Sequence, residues 1–467
     1  MKIRTLKYMF FSLAISTLAS CSKGLDLEPT DVFSDANAFT TISDAQAGAY
    51  EAYARFGTAY SNNLYVNALV SDEATLGTGN GGQGALTYRL QFSADNTTGG
   101  DVIAAWGSYY STIDQTNRIL NYIPTVTATA AQEPRRNIIK GQMFGLRGMS
   151  EFELLQAYTK RYDASNTDGV PLVTNYSAAN VNNKPARSTV AQVVTQIQND
   201  LDSASTLLSS QAFSDTNVNI INVSAYKARL AMYMGDYQTA ITNANTVISS
   251  GAKTLSPRAD FSNIWTDANT NETLFRIRYT GTGIGALWTT TGGLIYIAPS
   301  SQLISTFATT DIRLTAYIGG SATNGYYVNK YYTSSLGGRI VSEKVIRIAE
   351  MYLLRAEANA RLSSGDITSA TSDLNAVRAA RISGYTSATF SSRADLITAI
   401  MQERYKELCF EGLRYFDLKR NSLPLERSLA DASPAWQSLA ADSYRWVLPI
   451  PQAELNTNPN IQQNPGY

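Results

Sequence analysis

Apolar residues recur at three- and four-residue spacing in four long stretches of the chain, which is the pattern of a helix with one buried face. The clearest stretch is 188–208, whose valine, isoleucine and leucine residues form one stripe behind a predicted Ser188 cap. The same spacing predicts helices over 44–56, 103–123 and 137–158. The pattern therefore predicts a mainly α-helical fold.

Two later segments resemble each other. Residues 224–250 and 354–381 align at an offset of 130 positions, so that Gly235-Asp236 falls on Gly365-Asp366. Each segment is interpreted as a helix, a tight Gly-Asp turn and a second helix, which is the hairpin of tetratricopeptide repeats. The earlier helices add two more pairs, so we expect about four hairpins around a shared core. Chance similarity between two alanine-rich helices is the alternative interpretation.

Two stretches lack helical periodicity and are rich in glycine. Residues 253–338 also carry threonine, tyrosine and tryptophan, and 273–280 predicts a strand within them. Residues 77–100 form a predicted loop, in which alternating apolar positions over 86–92 indicate a short strand. A long ordered insertion in a helical chain usually carries function, so both stretches are candidate ligand-binding regions.

The amino terminus has the pattern of a lipoprotein export signal. Lys2, Arg4 and Lys7 precede an apolar run over 8–18 that is too short to span a bilayer as a helix. The run closes on Leu-Ala-Ser before Cys21, the cysteine that bacterial lipoprotein processing would acylate. We therefore predict a signal peptide over 1–20, and an ordinary secretory signal is the alternative.

The predicted acylation divides the rest of the chain. Residues 21–35 would form a lipid anchor and polar tether, and 36–467 a single domain that is anchored to a membrane but does not cross it. With Cys21 acylated, Cys409 is the one remaining thiol of the sequence. It lies in a predicted helical context over 401–414, where a buried, inert cysteine is expected.

Charge and composition exclude several classes of protein. The 38 lysine and arginine residues balance 38 aspartate and glutamate residues, so no basic field is available for nucleic acid. The absence of histidine removes the commonest general base and metal ligand. No catalytic residue, metal site or cofactor is therefore predicted. Loop carboxylates are compatible with calcium, but the sequence has no twelve-residue helix–loop–helix calcium loop.

Four motifs follow one another in the C-terminal third of the chain. They are RIAEMYLLRAEA at 347–358, LNAVRAAR at 374–381, QERYKELCFEGLRYFDLKR at 402–420 and LPIPQAE at 448–454. Together with the lipoprotein signal and the Ser-Asp-Glu segment at 71–73, they resemble the SusD/RagB family of Bacteroidetes over essentially the whole chain.

The resemblance implies a helical scaffold with tetratricopeptide-like pairs and an irregular ligand-binding region. It also implies a lipoprotein of the outer membrane, exposed at the cell surface, that captures glycans or peptides. The captured nutrient would pass to a SusC-like, TonB-dependent transporter, which is the expected partner protein. A neutral glycan is preferred over a peptide as the ligand.

The charged residues of these motifs are interpreted as structural. Glutamates and arginines stand at three- and four-residue spacing, where they can pair within and between helices. The residues concerned are Glu350, Glu357, Glu403, Glu407, Glu411, Arg347, Arg355, Arg404 and Arg414.

A site for a neutral polar polymer needs aromatic faces and a few orienting polar groups. We expect it where the 77–100 loop meets the 253–338 insertion. The candidates are Asp72, Tyr88, Arg89 and Phe92 from the first region and Trp288, Tyr296, Tyr326 and Tyr327 from the second. Ordinary packing is the competing interpretation for each aromatic residue, and ligand contact is favoured for Trp288 because glycine pairs flank it.

Two other functions compete with nutrient capture. A non-catalytic helical scaffold that binds only a partner protein would share every helical feature and differ only in the loops. A glycoside hydrolase could use paired carboxylates without histidine. However, Asp72 and Glu73 are adjacent, and Glu403, Glu407 and Glu411 have arginine neighbours, so neither cluster is arranged for catalysis.

Overall fold

The computed structural model describes residues 38–95, 100–176, 183–281, 283–290 and 292–467. The predicted signal peptide, the predicted acylation site Cys21 and the predicted tether lie outside these residues. Within the described residues no helix has both the length and the apolar character needed to cross a membrane.

Helices dominate the described part of the chain. The α-helices are α1 (Ile42–Leu69), α2 (Ala85–Tyr88), α3 (Asp101–Tyr122), α4 (Glu133–Tyr158), α5 (Val190–Leu207), α6 (Ile220–Met234), α7 (Tyr237–Ser249), α8 (Phe261–Ile264), α9 (Ser301–Ser305), α10 (Arg313–Tyr317), α11 (Ile348–Arg361), α12 (Ile367–Arg381), α13 (Arg393–Glu407), α14 (Arg414–Arg420) and α15 (Gln452–Thr457). Short 3-10 helices lie at Arg258–Asp260, Ile284–Leu287, Asn329–Tyr331, Pro434–Trp436 and Tyr444–Trp446.

The strands are short and form two-stranded antiparallel pairs. They are β1 (Ala74–Leu76), β2 (Thr273–Ile277), β3 (Ile297–Pro299), β4 (Ile318–Ser321), β5 (Gly325–Val328), β6 (Thr333–Ser334), β7 (Gly337–Gly338), β8 (Glu343–Arg347), β9 (Leu425–Glu426) and β10 (Ser438–Leu439). The pairs are β1 with β3, β2 with β8, β4 with β5, β6 with β7 and β9 with β10. The predicted mainly α-helical fold is confirmed.

The long helices pack as successive neighbours around one extended core. Helix α1 packs on α3, α4 on α5, α6 on α7, and α11 on α12, while α7 also contacts α11 across the insertion. A second, smaller apolar cluster lies between α11, α12 and α13. Four helix pairs are thus present, and their equivalence to tetratricopeptide units stays a prediction.

The two Gly-Asp turns join their helices as expected. Gly235 ends α6 with a φ of +76°, a left-handed conformation that glycine adopts without strain, and Asp236 caps the N-terminus of α7. Asp366 caps α12 in the same way. Gly365 has a different role, because a Cβ there would lie 2.1 Å from the carbonyl oxygen of Asn359.

Several predicted boundaries were wrong. Thr189 caps α5 through a capping box with Gln192, so the cap is one residue beyond Ser188. The alternating segment 86–92 is no strand, because it begins with the single helical turn α2. Cys409 is buried as expected, but α13 ends at Glu407 and the cysteine lies in the turn that follows it.

The insertion is anchored at both ends. Strand β2 pairs with β8, and Arg347 at the end of β8 is also the N-cap of α11. The predicted strand over 273–280 is confirmed for Thr273–Ile277. Between the two strands the chain contains two short α-helices that the sequence did not predict, α9 and α10, and a third, α8, precedes β2.

A buried ion-pair network joins the insertion to the helices that follow it. The carboxylate of Glu407 on α13 lies 3.0 Å from Arg313, 2.9 Å from Arg347 and 3.0 Å from Arg381. Arg347 and Arg381 also bind Glu272, which precedes β2. Burial raises the pKa of Glu407, but the three guanidinium groups outweigh it and hold that pKa well below its usual range.

Other carboxylates extend this network. Arg313 binds Asp311 at 2.7 Å and Glu403 at 2.6 Å, and Arg347 binds Glu411 at 2.7 Å. The structural interpretation of the charged motif residues is therefore confirmed. Its remaining members pair as Arg229–Glu350, Arg355–Asp373, Arg361–Glu357, Arg420–Glu357, Arg404–Asp417 and Arg414–Asp72.

Replacing Glu407 with glutamine should strongly destabilise the fold. The substitution leaves three buried guanidinium groups short of one negative charge, so we expect a loss of about 3–5 kcal/mol in the free energy of unfolding. Chemical denaturation measures it. The control is Glu51→Gln, which breaks an exposed pair with Arg55 and should lose less than about 1 kcal/mol. Equal losses in the two variants would contradict a central role for the network.

Glu73 should make the stability of the protein depend on pH. Its carboxyl is buried, and burial raises the pKa from 4.5 to about 8. Because the folded-state pKa lies above the unfolded value, the stabilising contribution is complete below pH 4.5 and is lost as the pH rises through about 8. In Glu73→Gln that loss should be absent. Denaturation curves of both proteins between pH 5 and 9 test this, and parallel pH profiles would contradict it.

Candidate ligand-binding groove

The 77–100 loop and the 253–338 insertion meet where β1 pairs with β3. Ala74, Thr75 and Leu76 lie opposite Pro299, Ala298 and Ile297. The pairing continues beyond the strands, since the Gly77 amide donates to the Tyr296 carbonyl at 2.8 Å and the Gly79 amide to the Ile295 carbonyl at 2.9 Å. The predicted meeting of these two regions is therefore present in the structure.

Glycine permits this close approach. A Cβ at Gly77 would lie 2.2 Å from the carbonyl oxygen of Ile295, which no side chain could tolerate. Gly325, with a φ of +82°, begins strand β5 and faces Thr78 across the same junction. The β4–β5 hairpin is thereby brought against the β1–β3 pair.

A groove of about 350 Å³ lies along this junction. Its surface combines apolar side chains with hydroxyl groups. The apolar members are Leu76, Ala298, Pro299, Ile304 and Tyr326, and the hydroxyl-bearing members are Thr75, Thr78, Ser301 and Ser305. Apolar surface with a few convergent polar groups is the usual composition of a small-ligand site.

Asp431 holds one wall of the groove in place. Its carboxylate accepts hydrogen bonds from the Ser301 amide at 2.7 Å, the Ser301 hydroxyl at 2.8 Å and the Ser428 hydroxyl at 2.5 Å. The Asp431 carbonyl also accepts from Thr75 and Tyr88. Because these bonds satisfy the carboxylate, Asp431 positions the start of α9.

Of the three predicted tyrosines, two lie at or beside the groove and one faces away from it. Tyr326 lines it directly, and Tyr296 is half-buried on the strand segment that forms its edge. Tyr327, the next residue of β5, points to the opposite face, where its ring lies 4.3 Å from that of Tyr332. Tyr326 is therefore the candidate best placed to stack against a ligand.

Three predicted aromatic contacts were wrong, because their rings lie in the core. Trp288 is 1% exposed, and its indole packs against Tyr65 and Phe410. Tyr88 is 1% exposed, and the Arg427 guanidinium carbon lies 4.0 Å from the centroid of the Tyr88 ring. Phe92 is also buried and stacks on Tyr467. No face of these rings is available to a ligand.

The two charged candidates also lie away from the groove. Arg89 stacks over the Trp436 ring at 5.2 Å. Asp72 binds Arg414 through two bonds of 2.7 Å and lines a separate cleft on the other side of α9.

The sequence did not single out Thr75, Thr78, Ser301 and Ser305. The sequence does not show which hydroxyl residues of a loop face a ligand. The pairing of β1 with β3 is what brings these four residues to one groove.

The described residues contain no group of histidine, cysteine, aspartate and glutamate side chains that could hold a metal ion. The side chains that line the groove supply hydroxyl groups for hydrogen bonding and the Tyr326 ring for stacking.

Two family models together cover nearly the whole chain. The SusD family model matches residues 233–467, and a model described as starch-binding associating with outer membrane matches residues 25–234. The first covers more than half of the chain.

Similar proteins are known over the same length. SusD-like protein P2 of Formosa agariphila is 25% identical, over 98% of this chain and 99% of its own. The crystal structure of a SusD superfamily protein from Bacteroides thetaiotaomicron is 26% identical, with a TM-score of 0.80 over 91% of this chain and all of that one. A SusD-like carbohydrate-binding protein from Bacteroides vulgatus shares the fold, at 21% identity and a TM-score of 0.77 over 91% of this chain and 98% of that one. With its motifs, its helical architecture and these matches in agreement, the chain belongs to the SusD/RagB family.

Proposed function

We propose that this protein captures an oligosaccharide or polysaccharide at the groove between the 77–84 loop and the 295–326 part of the insertion. The observation that carries the proposal is the composition of the groove, where the Tyr326 ring lies among apolar side chains and hydroxyl groups. A sugar ring has an apolar face, which packs on an aromatic ring, and an edge of hydroxyls, which need donors and acceptors.

The family supports the same ligand class. The model that matches residues 25–234 is described as starch-binding. A peptide is the second candidate ligand, because backbone groups at the edge of β5 could also bind an extended chain.

We further propose that the protein works at the outer membrane. The same family model is described as associating with that membrane, and the predicted acylation of Cys21 would supply the anchor. The captured nutrient would then be delivered to a SusC-like, TonB-dependent transporter. Co-purification of such a transporter with the tagged protein from its native membrane would test this partnership.

The charged clusters argue against a glycosidase. A general acid needs a raised pKa. Burial raises the pKa of Glu403 and Glu407, but the cationic side chains around each carboxylate outweigh it and lower both pKa values. Asp72 is held in a bidentate pair with Arg414. Glu73 has a raised pKa, but its side chain is fully buried, so a substrate could not reach its carboxyl group.

A binding screen tests the proposal directly. The full chain in detergent is titrated with neutral polysaccharides, acidic polysaccharides and peptides, and the products are analysed in the same samples. Saturable binding of a glycan without cleavage supports capture. Cleavage would establish an enzyme instead, and binding of none of these ligands would favour the scaffold function.

Tyr326→Ala should weaken glycan binding by about tenfold or more, equivalent to about 1.4 kcal/mol, because the ring that stacks on the sugar is lost. Isothermal titration with the glycan found in the screen measures the change. Tyr50→Ala is the matched control, since Tyr50 is 60% exposed on α1 and outside the groove. The melting temperature should change little in either variant. Equal affinity of the two variants would overturn the assignment of the groove.

A further inference from the structure

A second cleft, of about 790 Å³, lies outside the groove. Helix α13 forms its floor, with Ile397, Met401 and Tyr405, and the residues after α14 close one end. Its volume lies in the range of small-ligand sites.

The cleft and the groove share one wall. Helix α9 presents Ser301, Ile304 and Ser305 to the groove, while Gln302 and the following Thr306 line the cleft. A ligand longer than the groove could therefore continue across this single helical turn into the cleft.

Three cationic side chains line the cleft, and one carboxylate, Asp72, stands against them. Arg414 binds Asp72 through Nε and Nη2, both at 2.7 Å. Arg361 binds Glu357 through Nε at 2.8 Å and Asn421 through Nη2 at 2.6 Å. Within the described chain these bonds leave the Nη1 groups of both arginines as available donors.

Lys406 is the least satisfied of the three cations. Its Nζ lies 3.6 Å from Glu403, which is beyond hydrogen-bond distance, and Glu403 is bound more closely by Arg313 at 2.6 Å and Arg378 at 2.7 Å. The lysine side chain is 17% exposed and lines the cleft.

The charges behind the cleft do not neutralise it. Glu357 is fully buried and already binds Arg361 and Arg420, and the buried Asp417 binds Arg404 and Arg420. The lining therefore has an excess of N–H donors and positive charge over a partly apolar floor. Such a surface is complementary to a carboxylate on a sugar ring.

We propose that the cleft is a second subsite, which binds a uronic acid residue of the glycan whose neighbouring sugars occupy the groove. Lys406, with the free N–H groups of Arg361 and Arg414, would bind the carboxylate, while Ile397, Met401 and Leu423 contact the sugar ring. The inference rests on the proposed glycan-binding function and names its substrate class as an acidic polysaccharide. An acidic side chain of a partner protein is less favoured, because the cleft continues the groove across α9.

The test uses ligands that differ only in charge. Oligogalacturonate, oligoglucuronate and oligomannuronate are titrated into the full chain in detergent, each as the free acid and as the methyl ester. We expect one acid to bind about tenfold more tightly than its ester, and added salt to reduce this difference. Lys406→Gln should remove the preference.

Two further variants separate the cleft from general effects of charge. Lys227→Gln is the matched control, because Lys227 on helix α6 is a partly buried lysine that pairs with Asp202 on helix α5 and lines neither cavity. This variant should keep the preference for the acid over its ester. Gln302→Glu places a negative charge in the cleft without removing any ion pair, so it should abolish acid binding even if Lys406→Gln fails to fold.

The outcomes distinguish this inference from the proposed function. Equal binding of acids and esters, with loss of both in Tyr326→Ala, would overturn the acidic subsite and leave the groove as a glycan site. Binding of none of these glycans and of no neutral glycan would overturn both. Binding of hexaglutamate that depends on Lys406, without binding of any uronate, would replace the sugar by an acidic protein partner.

Discussion

The buried ion pair between Arg347 and Glu407 is the contact on which the arrangement of the described chain depends. Arg347 ends strand β8, which follows the insertion, and is the N-cap of α11, whereas Glu407 lies on α13. Arg313 and Arg381 converge on the same carboxylate from the insertion and from α12. A buried network of this kind contributes little net stability compared with an apolar core, but mispaired alternatives leave uncompensated charges. It thus favours one placement of the insertion over others.

That placement determines where ligands can bind. The groove exists because β3 reaches β1 from a distant part of the chain, and helix α9 is held by Asp431 from the C-terminal region. Three separate stretches therefore meet at one short helix. The side chains that face a ligand belong to loops and short strands, whereas the long helices supply the rigid support behind them.

The sequence predicted best those features that depend on local spacing. The long helices and the Gly-Asp turns follow from the spacing of nearby residues. The motif glutamates and arginines do form ion pairs, but most of these pairs, such as Arg347–Glu407, join residues that are far apart in the chain. The predictions failed where packing is long-range. Flanking glycines suggested an exposed Trp288, but its indole packs on Phe410, far along the chain. Likewise, Lys406 lies in a motif interpreted as structural, and only the tertiary fold shows that its amine faces a cleft.

The absence of histidine has a consequence for acid–base behaviour. An ordinary histidine titrates near pH 6.5, and the chain has none. In the described residues, burial instead moves Glu153 to a pKa of about 7, Glu343 to about 8 and Lys419 down to about 7. These buried side chains therefore bind and release protons near neutral pH, where exposed histidines would do so in most proteins. Unfolding would return each group to its ordinary pKa and so remove this buffering from the neutral range.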